Sequence, residues 1–314
     1  MAVHVLDGGL PSPLDRLADD YLNACVARGL APRSIEHYTY ALHSVFLPWC
    51  AGEGVAQVGA LDRRTLDRFT ATLLQRPSAR GAVLSKHSVH TYVRPVRLML
   101  NWASREGEDV KAQPQLPRRE KPLRDVLSRD EIDALERAMP SERDKLIIRI
   151  FGDCGLRLEE LSRLHPADLV RSGRQAHLRV LGKRSRIRDV PIPPALLRRL
   201  DRHIEGRPEE KSADKIFLAL RRGPAGEYDA LTPTGIYQVV KDSVARARLS
   251  KRVYPHLLRH SWMTEMLRCG MSPIQLSVIA GASMDVIAEH YAHLNKEDAY
   301  EAMIKAITGG RGRG

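Results

Sequence analysis

The sequence predicts a mainly α-helical chain in two parts: an N-terminal helical bundle, then an α+β domain built around a small antiparallel β-hairpin. Three observations carry this. Apolar residues recur at a helical period through the first 105 or so residues. Periodicity then lapses across a proline-rich, basic stretch. Beyond it, helical patterning resumes and is interrupted by two short runs of β-branched and aliphatic residues around a glycine-led basic turn.

In the first part, Leu14, Leu17, Tyr21, Leu22 and Cys25 fall on one helical face. Ile35, Tyr38, Leu42, Val45, Phe46 and Trp49 repeat the pattern, as do Leu66, Phe69 and Leu73, and then Val89, Val93, Val96 and Leu100. Four such helices make a small bundle. Pro48 and Pro95 lie inside two of them and are expected to end or kink them. Residues 1–110 therefore read as one helical domain. Residues 111–125, with Pro114, Pro117, Pro122 and the run Arg118-Arg119-Glu120-Lys121, read as an extended linker.

Ser128-Arg129-Asp130-Glu131 is a capping box, so a helix starts there and opens a second domain over 126–314. Leu178 to Leu181 and Ile187 to Ile192 are the hairpin strands, and Gly182 to Arg186 are its basic tip. Helices are expected over 194–204, from Pro233 behind a Thr232 cap to about 248, and near 255–269, 273–280 and 284–294. Gly270 and Gly281 mark two of the stops, and a last amphipathic segment runs from Ala299 to Ile307.

Composition narrows the function. With 43% hydrophobic and 28% charged residues the chain is globular rather than disordered. Its net charge of +12 points to a polyanion, most often nucleic acid. No apolar run is long enough to span a membrane, Met1 to Pro13 lacks a signal-peptide pattern, and the four cysteines form no Cys-x-x-Cys pair. The expectation is an intracellular, cytoplasmic protein.

Four segments offer chemistry. In His256-Leu257-Leu258-Arg259-His260, positions 256, 259 and 260 share a helical face, placing a guanidinium between imidazoles. An Arg fork suits phosphate oxygens and a His adds a donor. The His pair at i, i+4 also admits a zinc reading, although the glutamate of His-Glu-x-x-His and a third ligand are missing, and a plain surface helix is a further alternative. Arg157 and Glu160 are three apart, either a surface ion pair or a phosphate-binding Arg held from behind by a carboxylate. Lys183 at the hairpin tip is either a solvated turn residue or an ammonium that reaches a groove and delivers a proton. Tyr291 is either a core residue or a nucleophile whose phenol, with a pKa near 10, needs help to ionise.

The order and spacing of these segments are more specific than any one of them. Arg157 in Gly-Leu-Arg-x-x-Glu-Leu, Lys183 after a glycine before a strand, His256-x-x-Arg259-His260, and Tyr291 before Ala-His together resemble the tyrosine recombinase, or phage integrase, family. The resemblance runs from about residue 125 to 305. The bundle, with Arg33-Ser34-Ile35-x-x-Tyr38 and Met99-x-x-x-Trp102-Ala103, resembles that family's DNA-binding domain less specifically.

The resemblance implies a site-specific recombinase or integrase. Tyr291 would attack a phosphodiester and form a 3′-phosphotyrosyl link, and Arg157, Arg259 and His256 would hold the phosphate. Lys183 would be the general acid, with Glu160 and His260 in support. It further implies a clamp on double-stranded DNA, a homotetramer on two sites, alone or with a partner recombinase, and no metal, nucleotide or other cofactor. Arg184, Arg186, His87, His90 and Arg94 are the candidate DNA contacts. One residue departs from the pattern. Ala282 follows Gly281 where family members carry His or Trp. A missing phosphate donor of this kind costs ~2.7–4 kcal/mol, which leaves open a DNA-binding regulator or accessory subunit. His290 is a candidate substitute, although neighbouring helical residues point about 100° apart.

Overall fold

The computed structural model describes residues 12–77, 81–118, 125–173, 175–182, 186–291, 300 and 303–304. The chain divides into two compact units, Met1–Pro122 and Leu123–Gly314.

The first unit is helical, as its periodicity predicts. Helix α1 (Pro13–Ala27) opens on a Ser12–Asp15 capping box and buries Leu14, Leu17, Tyr21, Leu22 and Cys25. The second predicted helix is composite. Helix α2 (Pro32–Thr39) passes into π-helical turns over Tyr40–Phe46 and then into α3 (Leu47–Gly52). The Leu47 N–H bonds to Leu42 O, five residues back. Pro48, the second residue of α3, contributes no N–H, and the widened turns carry the chain into it without a break. Helix α4 (Arg63–Gln75) is capped by Asp62, and α5 (Lys86–Arg105) by Ser85. Pro95 does not end α5, which continues for ten residues beyond it with the ring buried. Packing of the ring against the core outweighs the lost hydrogen bond. Phe69 joins the helices, 5.1 Å from Phe46 and 5.2 Å from Trp49 between ring centroids. Val110 packs against this core, as do Ala112 and Leu116 from the stretch read as linker.

The second unit begins with α6 (Arg129–Arg137) on the Ser128–Glu131 capping box. Helices α7 (Glu142–Cys154) and α8 (Leu158–Arg163) follow. A three-stranded antiparallel sheet comes next, ordered β1 (Leu169–Ser172), β2 (Gln175–Leu181), β3 (Ile187–Pro191). The expected hairpin is its β2–β3 pair, in register from His177 opposite Pro191 to Leu181 opposite Ile187. Strand β1 was not evident from sequence, because four residues, Leu-Val-Arg-Ser before Gly173, carry no readable alternation. After α9 (Pro194–Glu205), a second ribbon pairs β4 (Leu218–Arg222) with β5 (Tyr228–Ala230). Helices α10 (Pro233–Ala247), α11 (Pro255–Arg268), α12 (Pro273–Ala280) and α13 (Met284–Tyr291) complete the described fold. Helix α11 is buried on nearly every side, and α7, α12 and α13 pack against it. Trp262, Met263 and Leu267 of α11, Leu276 and Ala280 of α12 and Ile287 of α13 make a separate small core. That core is what fixes α12 and α13 against α11.

Candidate active site

The site is assembled where three helix ends meet. Helix α7 stops at Gly155, whose φ of 58° is left-handed. A Cβ there would sit 2.0 Å from the Trp262 ring, so both the turn and the ring's approach require glycine. The chain then enters α8 with Arg157 as its cap residue. Glu160, in the first turn, accepts the Arg157 backbone N–H at 2.8 Å and Arg157 Nη1 at 2.7 Å. The carboxylate thus caps the helix and orients the arginine that precedes it.

A third group enters from the sheet. Arg188 of β3 shares a strand face with buried Val190 and points inward. Its Nη1 and Nη2 donate to Glu160 Oε1 and Oε2, each at 2.8 Å. Its Nε donates to Ile279 O at 2.8 Å. Arg259 of α11 donates through Nη2 to Ala280 O at 2.6 Å and through Nη1 to Gly155 O. Arg157 Nη2 reaches Gly281 O at 2.5 Å. The last carbonyls of a helix have no intrahelical partner and carry the negative end of its dipole. At the end of α12 three successive carbonyls, of Ile279, Ala280 and Gly281, are each taken by a different guanidinium.

The electrostatics follow from this packing. Burial alone would raise the Glu160 pKa, but the Arg188 fork and the Arg157 backbone and side chain outweigh it and hold it at about 2. Arg259 is 2% exposed. Burial, and then the positive charge of Arg157, push its pKa down to about 9, while Glu160 opposes that shift. Among the described residues three guanidiniums therefore gather at one carboxylate, and their other recorded partners are backbone carbonyls. Arginine has five donors, so Arg157 and Arg259 keep N–H groups beyond those used here. Such a cluster is suited to receiving an anion with several oxygens.

Of the residues singled out from sequence, the fold brings Arg157, Glu160 and Arg259 together. His256 is exposed in the first turn of α11, on the same helix as Arg259. His260 is buried and lies 4.2 Å from the His290 ring. His290 is itself buried, with Nδ1 3.1 Å from Thr264 Oγ1. The His290 ring thus packs on α11, against Thr264 and His260. Ala282 is half-buried, and its backbone is tied to Ser277 in both directions. Arg186 is exposed at the base of the hairpin, while Lys183 and Arg184 lie outside the described residues. The Tyr291 backbone closes α13, and its side chain also lies outside the described residues. His87 and Arg94 are exposed on α5, and His90 is half-buried beside them. Among the described residues no cluster of His, Cys, Asp and Glu is arranged to hold a metal.

Arg188 is the residue that sequence reading missed. Its signal was the strand alternation that sets it with Val190 on the inner face, where an arginine needs a partner.

Known proteins resemble the chain that carries these groups. The model of the phage integrase family matches residues 125–298. The tyrosine recombinase XerC 2 of Ralstonia nicotianae is 27% identical over 295 residues, spanning 90% of this chain and 83% of its own. The tyrosine recombinase XerA of Thermococcus onnurineus is 28% identical over 295 residues, spanning 93% of this chain and 96% of its own. Among solved structures, the XerH site-specific recombinase bound to palindromic difH substrate superposes with a TM-score of 0.67 at 18% identity, covering 91% of this chain and 83% of that one. The Tn1549 transposon integrase in complex with circular intermediate DNA gives a TM-score of 0.69 at 18% identity, covering 91% and 98%. At such identities these two show the shared fold.

Proposed function

This chain belongs to the phage integrase family and is a tyrosine-type site-specific DNA recombinase, and from that premise we propose how its residues divide the work. The scissile phosphate of duplex DNA binds at the arginine cluster. Arg157, with about a third of its side chain exposed at 32%, presents the accessible edge, and Arg259 lies deeper. Both stabilise charge on the non-bridging oxygens as the pentavalent transition state forms, and His256 adds a hydrogen bond. Tyr291 Oη bonds to phosphorus, the phenol giving its proton to a base. The bond to the 5′-oxygen breaks, and Lys183 protonates that oxygen to leave a 5′-hydroxyl. The product is a 3′-phosphotyrosyl link, and attack on it by another strand's 5′-hydroxyl rejoins the DNA. Bond energy is conserved in the link, so the cycle needs no nucleotide.

One observation carries this reading. Motifs more than a hundred residues apart, those of Arg157 and Arg259, converge on adjacent carbonyls at the end of α12, in the turn that leads into the helix ending at Tyr291. A regulator that only binds DNA has no use for that convergence, so the enzyme reading is favoured despite Ala282.

The wider assembly follows the same reading. The first unit contacts DNA through α5, with His87, His90 and Arg94, and the hairpin contacts it through Arg184 and Arg186. In this reading residues 1–110 and 126–314, joined by 111–125, each contact the duplex. Strand exchange calls for four protomers on two sites, alone or with a partner recombinase, the segment after Leu294 docking on a neighbour. The setting is the cytoplasm, at the nucleoid. No helix among the described residues is long and apolar enough to cross a membrane.

The test uses a site selected by repeated binding from a randomised duplex pool, then nicked beside the cleavage point so that religation fails. A covalent adduct on a denaturing gel is expected, and Tyr291→Phe should abolish it. Retarded complexes with no adduct after long incubation would contradict the enzyme reading.

A further inference from the structure

We propose that Arg188 is a positioning residue for strand cleavage, keeping Arg157 available to the phosphate by occupying Glu160; the inference rests on the catalytic reading above. Glu160 presents four acceptor positions, and all four are used. Oε1 takes Arg157 Nη1 and Arg188 Nη1, while Oε2 takes the Arg157 backbone N–H and Arg188 Nη2. Arg157 therefore gives Glu160 a single side-chain N–H and spends Nη2 on Gly281 O. The fork geometry that a carboxylate and a guanidinium prefer goes to Arg188 instead.

Removal of Arg188 leaves two acceptor positions of a buried carboxylate empty, and the nearest donor able to fill them is Arg157. A two-pronged pair between Arg157 and Glu160 would draw the guanidinium off Gly281 O and consume the N–H groups meant for phosphate. Arg188 also anchors the last turn of α12 through Ile279 O. Gly281 supplies an independent sign that this position is built for it. A Cβ at 281 would meet Arg188 Cδ at 3.0 Å and Nε at 3.3 Å, so the glycine leaves a passage for the arginine stem. The side chain is only 9% exposed, so a simple surface cation does not describe it.

The experiment measures single-turnover cleavage of the nicked, selected site and, separately, affinity for the intact site. Two scissile linkages are compared: the ordinary phosphate and a 5′-bridging phosphorothiolate, whose thiolate leaves without a general acid. Arg188→Met should lower the cleavage rate roughly tenfold to a hundredfold, the scale of an ångström-level misplacement, with affinity nearly unchanged. The loss should be the same on both linkages, whereas a Lys183→Ala loss should be repaired by the thiolate. Glu160→Gln added to Arg188→Met should restore part of the rate, because Arg157 is no longer captured. If the Met variant does not fold, Arg188→Lys, which keeps the charge and loses the fork, must show an intermediate loss by the same criteria. A folded Arg188→Met that cleaves within about twofold of wild type, or a loss repaired by the thiolate, overturns the proposal. If the wild type forms no Tyr291-dependent adduct, the catalytic reading itself fails, and the two failures are thereby told apart.

Discussion

The second unit holds two clusters of arginines around a buried glutamate, and they differ in one respect. At Glu136 the guanidiniums of Arg149 and Arg199 are met by further carboxylates: Asp133 at 2.8 Å from Arg149 and Glu142 at 2.7 Å from Arg199. Arg129 joins through Asp133 and Asp153. Four carboxylates there face three guanidiniums, so no positive charge is left over. At Glu160 the partners beyond the single carboxylate are backbone carbonyls, and positive charge is left over. Both arrangements bury glutamate and arginine, yet only the second has a deficit that an arriving anion would fill. Ion-pair density by itself does not mark a site, whereas uncompensated charge does.

The largest effect should come from breaking the cluster at Glu160. Arg259→Gln should slow cleavage about a hundredfold to a thousandfold, as removal of one preorganised donor does, with affinity for intact DNA changing far less. The counterpart in the cluster at Glu136, Arg149→Met, strands buried carboxylates. It should lower unfolding stability by about 3 kcal/mol, seen in chemical denaturation, while the cleavage rate of the folded protein stays near wild type. If both variants lose cleavage equally while folded, the distinction between the clusters is lost.

How much of this was legible in the sequence depends on how local each signal is. The Ser128–Glu131 cap, the β2–β3 hairpin and the Arg157–Glu160 pair are contacts within a few residues, and all are read from spacing. The bundle helices likewise show their faces through periodicity. Pro95 does not end its helix, because interior packing outweighs a rule about single hydrogen bonds. Arg188 was hidden because its partners, Glu160 and Ile279, lie 28 and 91 residues away, and only the packing of β3 beside α12 joins them. His290 could be placed no better from sequence, since its burial depends on where α13 docks on α11.

A smaller effect concerns pH. The Glu160 pKa falls from 4.5 to about 2 on folding, so its contribution to stability is full above pH 4.5 and drains away as pH drops toward 2. Melting temperature followed from pH 6 to pH 2.5 should fall in the wild type through that window. Glu160→Gln, with nothing to protonate there, should be less stable at pH 6 and should show a shallower decline. Parallel curves would mean that the carboxylate is not held by its arginines.

The smallest effect is expected outside both clusters. Arg94→Gln, on exposed α5, should weaken DNA binding uniformly across sequences and reduce the slope of log K against log salt by about one, with the single-turnover rate at saturation unaltered. An unchanged slope would remove Arg94 from the interface.

The central claim is that surplus guanidinium charge at Glu160 exists to meet the charge of the scissile phosphate. A neutral methylphosphonate at that position removes the charge and keeps the geometry. Cleavage by wild type and by Arg259→Ala on the two linkages is therefore the most direct measurement. The severe loss expected of the variant on phosphate should shrink greatly on methylphosphonate; an equal loss on both would contradict the claim.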